Sequence, residues 1–564
     1  MNRVILAILG LMAALVLAVG VLVIVLVAGG GDDDDGQAQS QPTEENGDGD
    51  NGDDGGGGPA EGELRLIGPE PLSLDPHTIT DAASALYVVE IFGGLLTLDP
   101  NLEIMPDLAV EIPTTENGGK VVNDDGTVTY TFTLRENALF HDRKPVRAED
   151  VKFSLERAAD PATQSLVAEF FLGDIVGVTE KLRGEATEIS GVQVINDITI
   201  AITIEQDLTS FLFKLTYPTS FVVDRSQVER DQNWTRRPNG TGPFKLDQWR
   251  FGERIILKAH SRYHLGAPKI ETVRYLLAGS SITLYEAGDV DVAGVALDDL
   301  QRIQDPADPL NAEYRSGDRL SLDYIGFNTN SPPFDDPLVR EAFAVAINKE
   351  QIARVIFQDA IPVANSIIMP GMAGYNAAAQ GPLFDVERAQ QLLRDSSYGG
   401  PDDLPEIRIA ESGTGATSGP GTAAIVEMWR DNLGVDVEIE QAEAATFFLD
   451  VAQGRYQMFL LGWIMDYPAE DDILNIHFDS DSPNNDTFYS NPEVDSLLRE
   501  ALTEPDEQRR IELYQEAEQI ILDEVPWFPL FFGQFHALVK PYVKDYLIPP
   551  AVVPRLRFVS LDAE

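Results

Sequence analysis

The chain is 564 residues long, carries 93 acidic against 41 basic residues for a net charge of −52, and has no cysteine. The length calls for more than one hydrophobic core, and the charge argues against nucleic acid and against docking on anionic lipid. Without thiols there are no disulfides, no thiol catalysis, no zinc-thiolate site and no lipid attachment through an amino-terminal cysteine.

After Arg3 an uncharged apolar stretch, Val4 to Ala28, is long enough to cross a bilayer as a helix. Arg3 on one side and Asp32 to Asp35 on the other place the amino terminus in the cytoplasm and the body outside. The reading is an uncleaved anchor over residues 1–28, with a removed signal peptide as the alternative. Residues 29–62 are Gly, Asp, Gln, Asn and Glu with almost nothing apolar, which predicts a flexible acidic tether. Its run GDGDNGDDG lacks the glutamate a calcium loop needs at the right offset.

Folded structure begins near Leu64, as a short strand, a proline-bounded loop and a helix whose cap candidates are Thr80 and Asp81. NDDG, Asn123 to Gly126, is a hairpin turn signal, and Val128, Tyr130, Phe132 and Leu134 alternate with threonines as a half-buried strand does. His141 and Asp142 stand together after it, read as a loop-ordering pair rather than acid-base chemistry. Next comes a helix with Val151, Leu155 and Ala158 on one side, then a strand through Ile198, Ile200, Ile202 and Ile204. GTGPFKLDQW, Gly240 to Trp249, is a turn and strand start without the lysine or spacing of a phosphate loop. His260 and His264 are four apart, but Gly266 and Pro268 break any helix that would aim them at one metal.

Beyond Leu277 the composition turns helical. Leu338, Ala342 and Ala346 share a predicted face, further helices fall near Val386 to Arg394, Thr422 to Asn432 and Arg509 to Leu522, and a strand falls near Val435 to Ile439. Between the last two helices lies GRYQMFLLGWIMDYPAEDDIL, Gly454 to Leu474. Its apolar run, Met458 to Leu461, reads as a buried strand that breaks at Gly462. Trp463, Asp466, Tyr467 and Pro468 follow within a few residues. Rings around one carboxylate are the makings of a pocket floor, since rings supply buried area and one anion fixes orientation. Core packing and a turn cap account for the same residues equally well.

Several separated segments match one pattern. SLDPH (Ser73 to His77), YTFTLRENALFHDRKPVRAEDVKFSLERA (Tyr130 to Ala158), GTGPFKL (Gly240 to Leu246), FNTNSPPFDDPLVREAFAVAINKE (Phe327 to Glu350), GWIMDYP (Gly462 to Pro468) and YSNPEVDSLL (Tyr489 to Leu498) occur in that order. In them the chain resembles the extracellular solute-binding proteins of the peptide and nickel ABC transporters, family 5, which includes oligopeptide- and dipeptide-binding proteins. The resemblance covers nearly everything from Leu64 to about Leu561.

The resemblance implies an α/β, periplasmic-binding-protein-like type II fold: two hinged lobes with an extra domain inserted in the amino-terminal lobe. By that analogy lobe I takes residues 64–92, 188–277 and 535–564, the insert residues 93–187, and lobe II residues 278–534. Peptide-binding relatives hold the ligand extended in the cleft, like an added strand. The carboxylate of their GWxxD motif, which maps onto Asp466, takes the peptide's α-ammonium. Gly462 and Trp463 map onto one wall, and Thr80, Asp81 and Ala82 onto the other.

The implied partners are a peptide or similar small cationic solute and the permease subunits of an ABC importer, with the binder a monomer held at the cell membrane by its amino-terminal helix. No cofactor and no metal are expected. The same frame also carries nickel-chelate, haem, opine and oligosaccharide binders, so a metallophore complex or a sugar stays open as the ligand. So does a sensory role. A glycosidase pairing Asp466 with Asp471 or Asp472 is the enzyme alternative. Two departures from the family pattern stand out. Arg143 replaces the glycine of the FHDG turn, at little expected cost, and DYPDP reads DYPAE before Asp471 and Asp472, acids that make the cleft more negative or simply face solvent.

Overall fold

The computed structural model describes residues 62–413 and 418–562. The predicted anchor, 1–28, and nearly all of the tether, 29–62, lie outside the described residues. Among the described residues no helix is long and apolar enough to cross a membrane.

Glu63–Ile67 forms β1, and Ala82–Ile91 forms the first helix, α1, capped by Asp81, whose carboxylate accepts the Ser84 N–H at 2.7 Å. Lys120–Val122 (β2) and Val128–Thr133 (β3) flank the NDDG turn, which Gly126 N–H closes onto the Asn123 carbonyl at 3.0 Å. β3 then pairs antiparallel with Thr199–Ile204 (β5), and β5 with Val192–Asn196 (β4), giving a four-stranded sheet ordered β2-β3-β5-β4. Its ladder runs past residue 187, the expected end of the insert. One face packs Val128, Tyr130, Phe132, Ile200, Ile202 and Ile204 against Val151, Leu155 and Ala158 of the helix Ala148–Ala158, so alternation on the strands and helical spacing both find their partner.

The main sheet has ten strands. Phe244–Arg250 (β6), Arg254–Ala259 (β7) and Thr272–Leu276 (β8) follow in chain order, then Val292–Gly294 (β9) and the long Tyr314–Phe327 (β10). Ile407–Ser412 (β11), Val437–Ala442 (β12), Met458–Ile464 (β13) and Trp527–Val539 (β14) complete it, in the order β12-β11-β13-β10-β14-β9-β1-β8-β7-β6. β10 and β14 pair antiparallel along almost their whole length, with a register shift between Asp318 and Leu322 and a second between Asp323 and Tyr324. Through these two strands the sheet passes from its β1 side to its β13 side.

The predicted helices appear as Pro337–Val345, Val386–Asp395, Pro420–Leu433 and Glu507–Glu524. In the first, the fully buried stripe is Val339, Ala342, Phe343 and Ala346, and Leu338 sits at its margin. The strand expected to break at Gly462 instead continues to Ile464. Gly462 lies opposite Asp323 in the β10–β13 ladder, and the missing side chain makes room for the aspartate: a Cβ at 462 would stand 2.6 Å from Asp323 Oδ1. The glycine is therefore part of the strand rather than its end.

Arg143 is strained. Its φ is +77°, the left-handed region in which a glycine costs nothing and an arginine does not. The replacement expected to cost little carries a backbone penalty, held in place by the Arg143 N–H to Phe140 carbonyl bond at 2.8 Å.

Candidate binding site

The SLDPH segment and the helix ending in LERA meet. Arg157 donates to both oxygens of Asp75, at 2.9 and 2.5 Å, and to Nδ1 of His77 at 2.8 Å, so Nε2–H of His77 is left to donate to the Phe221 carbonyl at 2.9 Å. His77 is fully buried, and desolvation pushes its pKa down to about 4, keeping the ring neutral. The Arg157 pairing holds Asp75 below the usual carboxylate range against an opposing burial cost. This knot fixes the loop that leads into α1, and with it Thr80, Asp81 and Ala82.

Those three residues line a cavity of about 180 Å³ together with Gly462, Trp463 and Asp466. All six sites expected from the sequence thus face one space, brought from residues almost four hundred positions apart.

Sequence reasoning missed the other walls. Phe170, Phe171 and Tyr217 form an aromatic side, with Phe171 and Tyr217 stacked at 3.7 Å and 9°. Met465, Ile476 and Asn484 extend the floor, and the carboxy-terminal segment Ala551–Pro554 closes one end. The tail's only advance sign is its apolar, proline-flanked composition, IPPAVVP, an extended segment with nothing to say what it covers.

The carboxylates sort themselves by environment. The Asp466 side chain has no hydrogen bond and no ion pair among the described residues, and burial pushes its pKa up to about 7. Its backbone N–H donates to Asp472 Oδ2 at 2.8 Å. Asp472 is fully buried behind it and is pushed well above the carboxylate range, first by burial and then by the Asp466 charge. Asp471 is also buried, accepts the Tyr467 hydroxyl at 2.9 Å, and feels the Lys214 ammonium. Neither acid faces solvent, and neither lines the cavity, so the expected extra negative wall reduces to Asp466 with a buried carboxyl in reserve. The other acid on the cavity lining is Asp81, on the wall across from Asp466, and its carboxylate is engaged as the cap of α1 by the Ser84 N–H at 2.7 Å.

Trp463 is 3 % exposed and packs edge-on against His477 at 4.3 Å, its indole N–H without a well-formed hydrogen bond. The main chain beside it is open. β13 pairs with β10 from Met458 to Ile464 on one side, but on the other β11 reaches only Met458 and Phe459. Among the described residues no strand occupies that edge from Leu460 to Ile464, next to Asp466.

The histidines are structural. Nε2 of His141 and Nδ1 of His260 both lie within hydrogen-bonding distance of the Gly242 carbonyl, at 3.1 and 3.2 Å, and His264 Nε2 pairs with Asp107 at 2.7 Å. The described residues hold no group of three or more potential metal ligands in reach of one ion.

Residues 103–485 match the family model of bacterial extracellular solute-binding proteins, family 5 Middle. The oligopeptide-binding protein OppA of Bacillus subtilis is 26% identical over 500 residues, covering 86% of this chain and 89% of that protein. The periplasmic oligopeptide-binding protein OppA of Salmonella typhimurium is 30% identical over 496 residues, 85% of this chain and 88% of its own. Among solved structures, the unliganded open form of the periplasmic murein tripeptide binding protein MppA superposes with a TM-score of 0.74 at 25% identity, covering 89% of this chain and 97% of that one.

Proposed function

The chain belongs to the bacterial extracellular solute-binding proteins of family 5, with their two-lobed type II α/β fold, and from that premise we propose that it captures peptides for an ABC importer. The peptide lies extended between the lobes, its α-ammonium on Asp466 and its main chain along the open edge of β13 by Gly462 and Trp463. Thr80, Asp81 and Ala82 form the facing wall. Main-chain pairing carries affinity without reading sequence, and a desolvated carboxylate demands a cation.

One observation carries this reading: an acid unpaired among the described residues stands directly beside a strand edge that no described strand occupies, inside an aromatic cavity. A peptide with a free amino terminus supplies the complement of both. The chain passes between lobe I (64–92, 188–277 and 535–564) and lobe II (278–534) after Leu277 and again within β14, about which the lobes close, and the insert, 93–187, rides on lobe I through the sheet it shares with β4 and β5. The closed form hands its ligand to a two-subunit permease, and the protein does no chemistry on it. It acts as a monomer outside the cytoplasmic membrane, tethered by residues 1–28.

Mass spectrometry of what copurifies with the full-length protein tests the reading, followed by calorimetry with the identified species. Peptides with free amino termini are the expected result. A bound sugar, lipid or metal chelate, with no peptide competing, would replace peptide capture.

A further inference from the structure

The β6 end of the main sheet is basic in a chain where acids outnumber bases 93 to 41: residues 225–274 hold eleven basic and five acidic side chains. Three cross-strand neighbours there are cation beside cation, Arg65 with Arg274, Arg250 with Arg254, and Lys245 with Lys258. The other face of the same strands packs Leu64, Leu66, Ile255, Leu257, Val273 and Tyr275 into the core, so all six cations stand on the outer face. Like charges directly opposite on a sheet weaken it. Two of the pairs have counter-charges of their own. Asp291 meets Arg65 at 2.6 Å, Glu63 meets Arg274 at 3.0 Å, and Glu253 meets Arg254 at 2.8 Å and Arg250 at 3.5 Å. The third pair has none. Among the described residues Lys245 makes no ion pair and no side-chain hydrogen bond, and Lys258, which is exposed, reaches only the Thr272 hydroxyl at 2.7 Å.

A run of anions ends a few steps away. The carbonyl of Gly62 accepts the N–H groups of Glu271 and Thr272, at 3.0 and 3.2 Å, just before β1 begins. Glu63 is the ladder neighbour of Thr272, Thr272 of Lys258, and Lys258 of Lys245. Three strand spacings, about 14 Å, therefore separate the start of β1 from Lys245. Residues 29–61, which lead into Gly62, hold eleven acids and no base, Asp48, Asp50, Asp53 and Asp54 among them. The eight residues from Asp54 to Gly62 can span up to about 27 Å, nearly twice what Lys245 requires.

We infer that the acidic tether folds back on the outer face of β6 and β7 and supplies the counter-charge that Lys245 and Lys258 lack. The contact is made within one chain, so an effective concentration on the order of millimolar drives it and weak surface pairs suffice. Salt governs it. Charges on this face act over about 10 Å at 0.1 M salt and about 3 Å at 1 M, so the tether docks at low ionic strength and comes free at high. With residues 1–28 as the anchor proposed above, docking shortens the reach of the body from the membrane. Nothing in the contact depends on what the cleft binds.

Carbodiimide joins a lysine to a carboxylate only where the two touch, and mass spectrometry maps the joined peptides. The full-length protein is treated in neutral detergent, as an equal mixture of nitrogen-15-labelled and unlabelled copies. At low salt Lys245 and Lys258 should be joined to acids within residues 29–61 about fivefold more often than Lys269, which is exposed two residues from Glu271 at the tether's exit. In 1 M salt that preference should vanish. Lys245→Gln should lower the joining of Lys258 to the tether by a few-fold, because half of the attracting charge is gone, whereas a tether that merely drifts past would be joined to Lys258 as before. Joining spread evenly over the exposed lysines at low salt, or a preference that survives 1 M salt, overturns the docking. So does joining between labelled and unlabelled copies, which would give the face to a second molecule. Loss of the joined products when phosphatidylserine is mixed into the detergent would give it to lipid headgroups instead, and overturn the docking as well.

Discussion

The backbone N–H of Asp466 donates to the carboxylate of Asp472 at 2.8 Å, which couples an acid on the cavity wall to one fully buried behind it. The two do not ionise freely together, because like charges this close oppose each other and burial opposes both.

The first expectation concerns protons. With an apparent pKa of about 7, the Asp466 site is partly protonated at neutral pH before ligand arrives. An α-ammonium favours the charged form, so binding near pH 7 releases a substantial fraction of a proton. Affinity should fall as pH drops below 7, by up to tenfold per unit. Calorimetry in buffers of different ionisation enthalpy reads the release directly. A binding enthalpy independent of buffer would remove Asp466 from the contact.

The second concerns the balance of stability and binding. Asp466 has a folded pKa raised above its unfolded value, so its favourable contribution is full below about pH 4 and is lost as pH rises through about 7. Asp466→Asn should therefore stabilise the ligand-free protein at pH 8 by on the order of 1–2 kcal/mol and change little at pH 4, while weakening ammonium-bearing peptides by about 2–5 kcal/mol. Denaturant unfolding at the two pH values, beside calorimetry, checks both halves. Equal effects at both pH values would mean the substitution acts by packing.

The third concerns Arg157. Replacing it by Met leaves Asp75 and His77 buried without their cation, and should cost about 3–5 kcal/mol. Arg157→Met combined with Asp75→Asn should recover much of that loss, since the unpaired charge goes with the partner. A double-mutant cycle in urea decides it, and additive losses would mean that the pair is not the source.

The fourth concerns Arg143. At φ +77° the backbone prefers glycine, and Arg143→Gly should raise stability by about 0.5–1 kcal/mol after allowing for the freer unfolded chain. Ligand affinity should stay unchanged. A shift in the thermal midpoint in the wrong direction would show that the side chain repays its strain.

Local rules made much of this molecule legible. NDDG closed its hairpin, Asp81 capped its helix, and the threonine-interleaved strand buried the face its alternation predicted. The tryptophan and carboxylate after Gly462 fell beside Thr80 and Asp81 because motif order carries the topology that spacing alone lacks. What sequence could not carry was the neighbour across space. Gly462 looked like a strand end because nothing local reveals that Asp323 occupies its empty side. Asp471 and Asp472 looked like acids of the cleft or of the solvent-facing surface because burial is set by helices and loops far along the chain, and the tail at 551–554 reaches the cavity only through tertiary folding.

The rim of β13 that no described strand covers has a last consequence. A row of unused main-chain donors and acceptors on an outer surface is a template for fibres, because any extended stranger can join it and offer its own far side to the next. Sunk between a glycine-bearing floor and an aromatic roof, in a cavity of about 180 Å³, it admits a single chain and leaves that chain nowhere to recruit another. The stickiness that would endanger an ordinary sheet becomes a stoichiometry of one.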